Sequence, residues 1–179
     1  MEKNFDIKSL ISTVPNYPSP GIMFRDITTL LEHPYGMEKT SEMFLERLKS
    51  HNFDKVVGIE SRGFIFGSLI SEKLNKPFIP IRKKGKLPRK TISQEYQLEY
   101  GQDCLEVHSS SVNKDENFLI VDDLIATGGT AEAAAKLIEM SKGKVAGYVF
   151  VINLFDLGGC DNLLKKGYKV ENLIEFPGH

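Results

Sequence analysis

Asp122 and Asp123 stand side by side at the end of an apolar run, Phe118 to Val121, and Ala126, Thr127, Gly128, Gly129 and Thr130 follow closely. Ionised carboxylates only accept hydrogen bonds, which suits the paired hydroxyls of a vicinal diol. The small residues let main-chain N–H groups close around a phosphate, and the threonine hydroxyls add donors. An Ala-rich stretch opening near Thr130 predicts a helix whose positive N-terminal end meets the same point. Diol acceptors and a phosphate cradle a few residues apart match the two ends of a ribose 5-phosphate. Read alone, Gly128-Gly129-Thr130 is a strand-to-helix turn with Thr130 as N-cap. The acid pair and the apolar run before it favour a sugar-phosphate site.

A second strand-end turn, Gly58 to Gly63, carries Glu60, Ser61 and Arg62. The planar fork of Arg62 suits a diphosphate. In the plainer alternative Glu60 and Ser61 cap the following helix and Arg62 is solvated. Arg82, Lys83, Lys84, Lys86, Arg89 and Lys90 form a run without a single acid. Such runs are usually solvated and sometimes bind nucleic acid. No aromatic side chain interrupts this one, which weakens a role in stacking on single strands. Carried on a lid, it would bring positive charge over a leaving diphosphate and exclude water from an activated sugar. Beyond it, Glu95, Tyr96, Glu99 and Tyr100 supply the remaining acid–base groups.

The elements that must position these groups follow from the hydrophobic pattern. Phe118 to Val121 is the continuous apolar run of a strand buried on both faces. Ligands of open α/β sheets bind outside the carboxyl ends of such strands. Strands are expected over residues 55–59, 77–81, 118–122, 145–155 and 170–176, alternating with helices over 35–49, 63–74, 130–142 and 162–165, in the manner of βαβ units. Helical spacing also covers Asn4 to Thr13, ended by the Pro-rich stretch Val14 to Gly21. Gln94 to Tyr100 and Asp103 to Val107 read as a hairpin. The expected fold is α/β, a doubly wound parallel sheet in one domain over 1–179. It carries an N-terminal hood at 1–34, a protruding two-stranded flap at 82–116 and the sugar-phosphate motif at 118–130.

Composition narrows the classes. With 179 residues, 41% of them hydrophobic, the chain can bury one full core. Its 23 basic and 24 acidic side chains leave a net charge of −1, so no global field favours nucleic acid or an anionic membrane. Cys104 and Cys160 are too few for a disulfide framework and lack metal-ligand spacing, which fits a reducing cytosol. The first residues have no long apolar core, so a cytoplasmic protein is expected. Gly85-Lys86 and Gly143-Lys144 are followed by Leu87 and Val145, which excludes a P-loop. No two glycines are spaced Gly-x-Gly, which excludes a dinucleotide fingerprint.

The motif at 118–130 resembles the phosphoribosyl diphosphate signature of the type I phosphoribosyltransferases. Five blocks recur in order nearly end to end: Pro18 to Asp26, Glu60 to Phe64, Arg82 to Pro88, Leu98 to Gly101 and the signature itself. Together they resemble the adenine phosphoribosyltransferase family. The resemblance implies transfer of the 5-phosphoribosyl group from 5-phosphoribosyl 1-diphosphate to N9 of adenine, giving AMP and diphosphate, for purine salvage. It implies catalytic roles for Glu99, on the base proton, and for Arg62. Glu60, Ser61, Arg62, Lys83, Lys86 and Tyr100 would surround the diphosphate. Asp122 and Asp123 would hold the ribose diol, and Ala126, Thr127, Gly128, Gly129 and Thr130 the 5-phosphate. The backbone near Met23 and Arg25 would read the base, with Phe24 and Leu154 against its two faces. Mg²⁺ held mainly by substrate oxygens, with no ligand directly from the protein, a cis peptide at Glu60-Ser61 and a homodimer are implied too. Glu60 stands where aspartate is common, and Asn153 where relatives are acidic. Another purine base, or a nucleotide-sensing regulator without catalysis, is the alternative reading.

Overall fold

A computed structural model describes residues 5–97 and 102–178. In chain order its elements are β1 (Ser12–Pro15), β2 (Met23–Asp26), α1 (Thr28–Glu32), α2 (Gly36–Leu48), β3 (Lys55–Ile59), α3 (Gly63–Leu74) and β4 (Phe78–Lys83). They continue with β5 (Thr91–Gln97), β6 (Gln102–His108), β7 (Asn117–Ile125), α4 (Gly129–Met140), β8 (Lys144–Leu154), α5 (Gly159–Lys165) and β9 (Val170–Phe176). Seven strands form one sheet in the order β5-β6-β4-β3-β7-β8-β9, and β1 pairs with β2 separately. From β4 through β9 the neighbours are parallel; β6 joins β4, and β5 joins β6, antiparallel.

The central strands are apolar on both faces because both faces are covered. Val56, Leu119, Val121, Val149 and Val151 point into a core shared with Phe44 and Leu48 of α2 and Phe66 and Ile70 of α3. Val57, Phe118, Ile120 and Phe150 point the other way, onto Ala134, Leu137 and Ile138 of α4. Phe118 to Val121 are fully buried, and each such side chain is worth ~1.5–3 kcal/mol. This anchors the strand that carries the acid pair.

Register then opens the crevice. The β3–β7 ladder ends at Gly58 and Val121, whereas the β7–β8 ladder runs on to Ile125 and Asn153. Asp122 and Asp123 therefore lie past the last rung on one side while still held on the other. The strand expected over 118–122 is longer because β8 continues to pair with it.

Two other expectations are corrected. Asn4 to Thr13 is not a helix: only Ile7–Leu10 forms a 3₁₀ turn, capped by the Asp6 carboxylate, which accepts from the Lys8 N–H at 2.9 Å. Ser12 to Pro15 instead pair with Met23 to Asp26, a long-range partnership that overrides the local spacing. The helix expected to start at Thr130 begins at Gly129, with Gly128 at φ 90° as N-cap and no side-chain cap. The flap is rooted in the sheet at its base and runs on past the end of β4 as a two-stranded hairpin as far as the Gln97–Gln102 pair. Arg82 and Lys83 pair with Glu106 and Leu105, so the hairpin joins the main sheet at the last two residues of β4. The flap tip expected around residues 98–101 lies outside the described residues.

Candidate active site

The acid pair is tightly built. Asp123 is buried, its N–H donates to Asp122 Oδ1 at 2.9 Å, and Arg62 Nε lies 3.0 Å from Asp123 Oδ2 in an ion pair. Burial pushes the Asp122 carboxyl well above the usual carboxylate range, and the charge of Asp123 adds to this. Burial raises Asp123 too, against the pull of the Arg62 guanidinium. Two crowded acids of this kind cost the fold stability, which is the mark of a site kept for its chemistry.

The small-residue loop leads from these acids into α4. Its shape is held from behind by a contact that the motif does not contain. The Gly159 N–H donates to the Ala126 carbonyl at 3.0 Å, and a Cβ on Gly159 would stand 2.3 Å from that oxygen and 2.7 Å from the Gly128 nitrogen. Any side chain there would push the loop out of shape. A cavity of about 300 Å³ lies in front, lined by the acid pair, residues 126–130, Glu60, Ser61, Arg62, Lys83, Tyr96 and Asp103.

The cations nominated for the diphosphate are each held by a carboxylate. Lys83 Nζ is 2.9 Å from Asp103, and Lys86 Nζ is 2.7 Å from Glu60. Glu60 also accepts from the Lys83 N–H at 2.9 Å and from Arg82 at 3.3 Å. Burial works to raise the Glu60 carboxyl, but Lys86, the Lys83 N–H and Arg82 outweigh it and hold it at about 2. Glu60 thus ties down the base of the flap rather than capping α3, whose N-cap Arg62 makes no side-chain cap bond. The Glu60-Ser61 peptide is cis, as the resemblance implied. Asp103 also accepts from the Tyr96 hydroxyl at 3.4 Å. Tyr96, one of the acid–base groups expected on the flap, reaches the site with Asp103, which no motif contains, as a cross-strand pair.

A second cavity, of about 450 Å³ and mostly apolar, adjoins the first. Met23, Phe24, Arg25 and Leu154 line it together, and so do Leu157 and Gly178, which no motif contains. Tyr17 packs edge-on against Phe24 with centroids 5.1 Å apart, and the Arg62 guanidinium lies 5.4 Å over the same ring. The two cavities share Leu124, Ala126, Thr127, Gly129 and Thr130 as a common wall. Glu99 and Tyr100 lie outside the described residues.

A parallel sheet with an acid pair and a small-residue phosphate loop at its carboxyl edge, beside a basic flap, defines a type I phosphoribosyltransferase. Residues 26–174 match the family described as "Phosphoribosyl transferase domain". The adenine phosphoribosyltransferase of Pelagibacter ubique is 58% identical over 97% of this chain and 99% of its own length, and that of Actinobacillus succinogenes 50% over the whole of both. The crystal structure of adenine phosphoribosyltransferase from Thermoanaerobacter pseudethanolicus superposes with a TM-score of 0.91 at 42% identity, covering 95% of this chain and 98% of that one. The Saccharomyces cerevisiae enzyme, solved with an imino-altritol bisphosphate and adenine, gives 0.87 at 36%, covering 94% and 96%. The chain belongs to the adenine phosphoribosyltransferase family.

Proposed function

We propose that this protein transfers the 5-phosphoribosyl group of 5-phosphoribosyl 1-diphosphate to N9 of adenine, releasing AMP and diphosphate. The observation that carries the reading is the common wall. One cavity offers diol acceptors, a phosphate loop and cations, the other an apolar slot, and the sugar carbon that changes partners falls where they meet. Holding two reactants across such a wall supplies much of the rate through proximity alone.

The roles follow from chemistry. Asp122 and Asp123 accept from the ribose hydroxyls, and the loop at 126–130 binds the 5-phosphate. Arg62, Lys83 and Lys86 exchange their carboxylate partners for the diphosphate and stabilise the charge that builds as its bond to the sugar breaks. Phe24 and Leu154 hold the ring faces, while the backbone of Met23 and Arg25 reads the edge. Glu99 takes the proton that N9 must lose, and Tyr100 completes the diphosphate contacts. The cavity carboxylates Asp122, Asp123, Glu60 and Asp103 are hard oxygen donors, and among the described residues no cluster of three or more His, Cys, Asp or Glu could hold a metal. That donor set fits a Mg²⁺ bound chiefly through substrate oxygens and water, which when present neutralises the departing diphosphate. The reading includes a homodimer, checked by sedimentation, in the cytoplasm. No helix among the described residues is long and apolar enough to cross a membrane.

The deciding experiment is a panel of adenine, hypoxanthine, guanine and xanthine with 5-phosphoribosyl 1-diphosphate, following nucleotide and diphosphate release with Mg²⁺ and then with chelator. Adenine should be used at least tenfold better than the others, and chelation should abolish turnover. Indifference to adenine would overturn the base assignment. Tight binding without diphosphate release would turn the reading towards a sensor.

A further inference from the structure

The segment that follows β9 returns to the base cavity and is fastened there from two sides. Arg25 projects from the hood strand β2, is 6% exposed, and lies in a place where no carboxylate pairs with it among the described residues. Its guanidinium donates to the Pro177 carbonyl at 2.7 Å and to Thr13 Oγ1 at 2.5 Å, and it stacks 4.8 Å over the Phe176 ring. From the opposite side Asp156 Oδ1 accepts from the Gly178 N–H at 2.6 Å. Phe176 is also the β9 partner of Leu154, the cavity residue assigned to a face of the base.

A buried guanidinium without a counter-ion is costly unless its hydrogen bonds are made. Here the two terminal nitrogens make such bonds while Nε has no partner among the described residues, and they join the paired hood strands β1 and β2 to the segment after β9, which is distant in sequence. The Thr13 contact holds β1, the Pro177 contact holds the segment after β9, and the Arg25 backbone itself belongs to the wall that reads the base. Movement of the segment after β9 would cost the guanidinium its Pro177 acceptor and leave Thr13 alone to satisfy it. We propose that Arg25, through its side chain, and Asp156 latch residues 176–178 as the outer wall of the base cavity, and so act as positioning residues for base selectivity. The latch sets the distance between the hood backbone and Leu154 across which the ring must fit. This inference rests on the adenine reading above and deepens it.

The test uses the full chain with Arg25→Met, which keeps the stem and removes the donors, Arg25→Lys, and Asp156→Ala. KM for adenine should rise about tenfold in Arg25→Met, the scale of losing a hydrogen bond from a charged donor. Arg25→Lys should recover part of it, and Asp156→Ala should show a smaller rise in the same direction. KM for 5-phosphoribosyl 1-diphosphate should move far less than KM for adenine, and preference for adenine over hypoxanthine should fall in step with the adenine KM. A loss of folding alone would not split the two KM values this way. Should Arg25→Met fail to fold, Asp156→Ala and Arg25→Lys carry the same comparison. An unchanged adenine KM in the folded variants, or an equal rise for both substrates, would overturn the latch while leaving the adenine reading intact. Failure of the unaltered protein to use adenine would remove both.

Discussion

The two halves of the site are built in opposite ways. The polar cavity takes its small-residue loop and acid pair from one stretch of chain, residues 122–130, and its other charged groups from elsewhere, already paired: Asp123 with Arg62, Asp103 with Lys83, Glu60 with Lys86. The second cavity is mostly apolar and gathered from the hood, the end of β8 and the segment after β9, with residues of the 124–130 stretch as the wall it shares with the first. Charges close together must be balanced before the substrate arrives, so the first half stores ion pairs that an anionic ligand can replace. An apolar slot needs no such balance, only walls held at the right separation.

Replacing both Asp122 and Asp123 by Asn should give the largest effect, a fall in kcat of about a hundredfold or more, because the preformed acceptors of the diol are lost. The same variant should melt higher, by about 2–4 °C for each kcal/mol of repulsion and burial cost removed, since both carboxyls are pushed up in the fold. Near-normal turnover would break the comparison at its strongest point. Phe24→Ala tests the other half: adenine KM should rise about three- to tenfold with the loss of a stacking face, while KM for 5-phosphoribosyl 1-diphosphate is unchanged. A parallel rise in both would show that the Arg62–Phe24 contact couples the halves.

The smallest effect concerns acid stability. Glu60 is held at about 2 against an ordinary 4.5. A depressed carboxyl contributes stability that is fully present above about 4.5 and lost as pH falls towards 2. Urea unfolding at pH 5 and pH 3 should therefore show a larger drop for the unaltered chain than for Glu60→Gln. Equal drops would mean that the flap base does not depend on this carboxylate.

The same contrast explains what the sequence could reveal. Phe118 to Thr130 carries its strand, acids and loop in one continuous pattern, so that half was legible from residue types alone. Strands at Lys55–Ile59 and Val170–Phe176 and the helix at Gly63–Leu74 lie where the apolar pattern puts them. Within the hood, the helical spacing of residues 4–13 yields to the pairing of Ser12–Pro15 with Met23–Asp26, a partnership that leaves no local period. Asp103, Leu157, Gly159 and Gly178 reach the site through cross-strand register or by meeting a distant loop. The one sequence trace was that an unbroken basic run in a charge-balanced chain needs acids from elsewhere, which Glu60 and Asp103 turn out to supply.

Ile125 and Asn153 are the last paired rung between β7 and β8. One residue further, the first strand becomes the phosphate loop at Ala126 and the second becomes the wall at Leu154. Adjacent strands sit about 4.8 Å apart, so the backbone acts as a ruler between the two compartments. The loop at Ala126 and the wall at Leu154 cannot drift apart without unzipping the middle of the sheet, so the spacing between these two walls is fixed by backbone pairing.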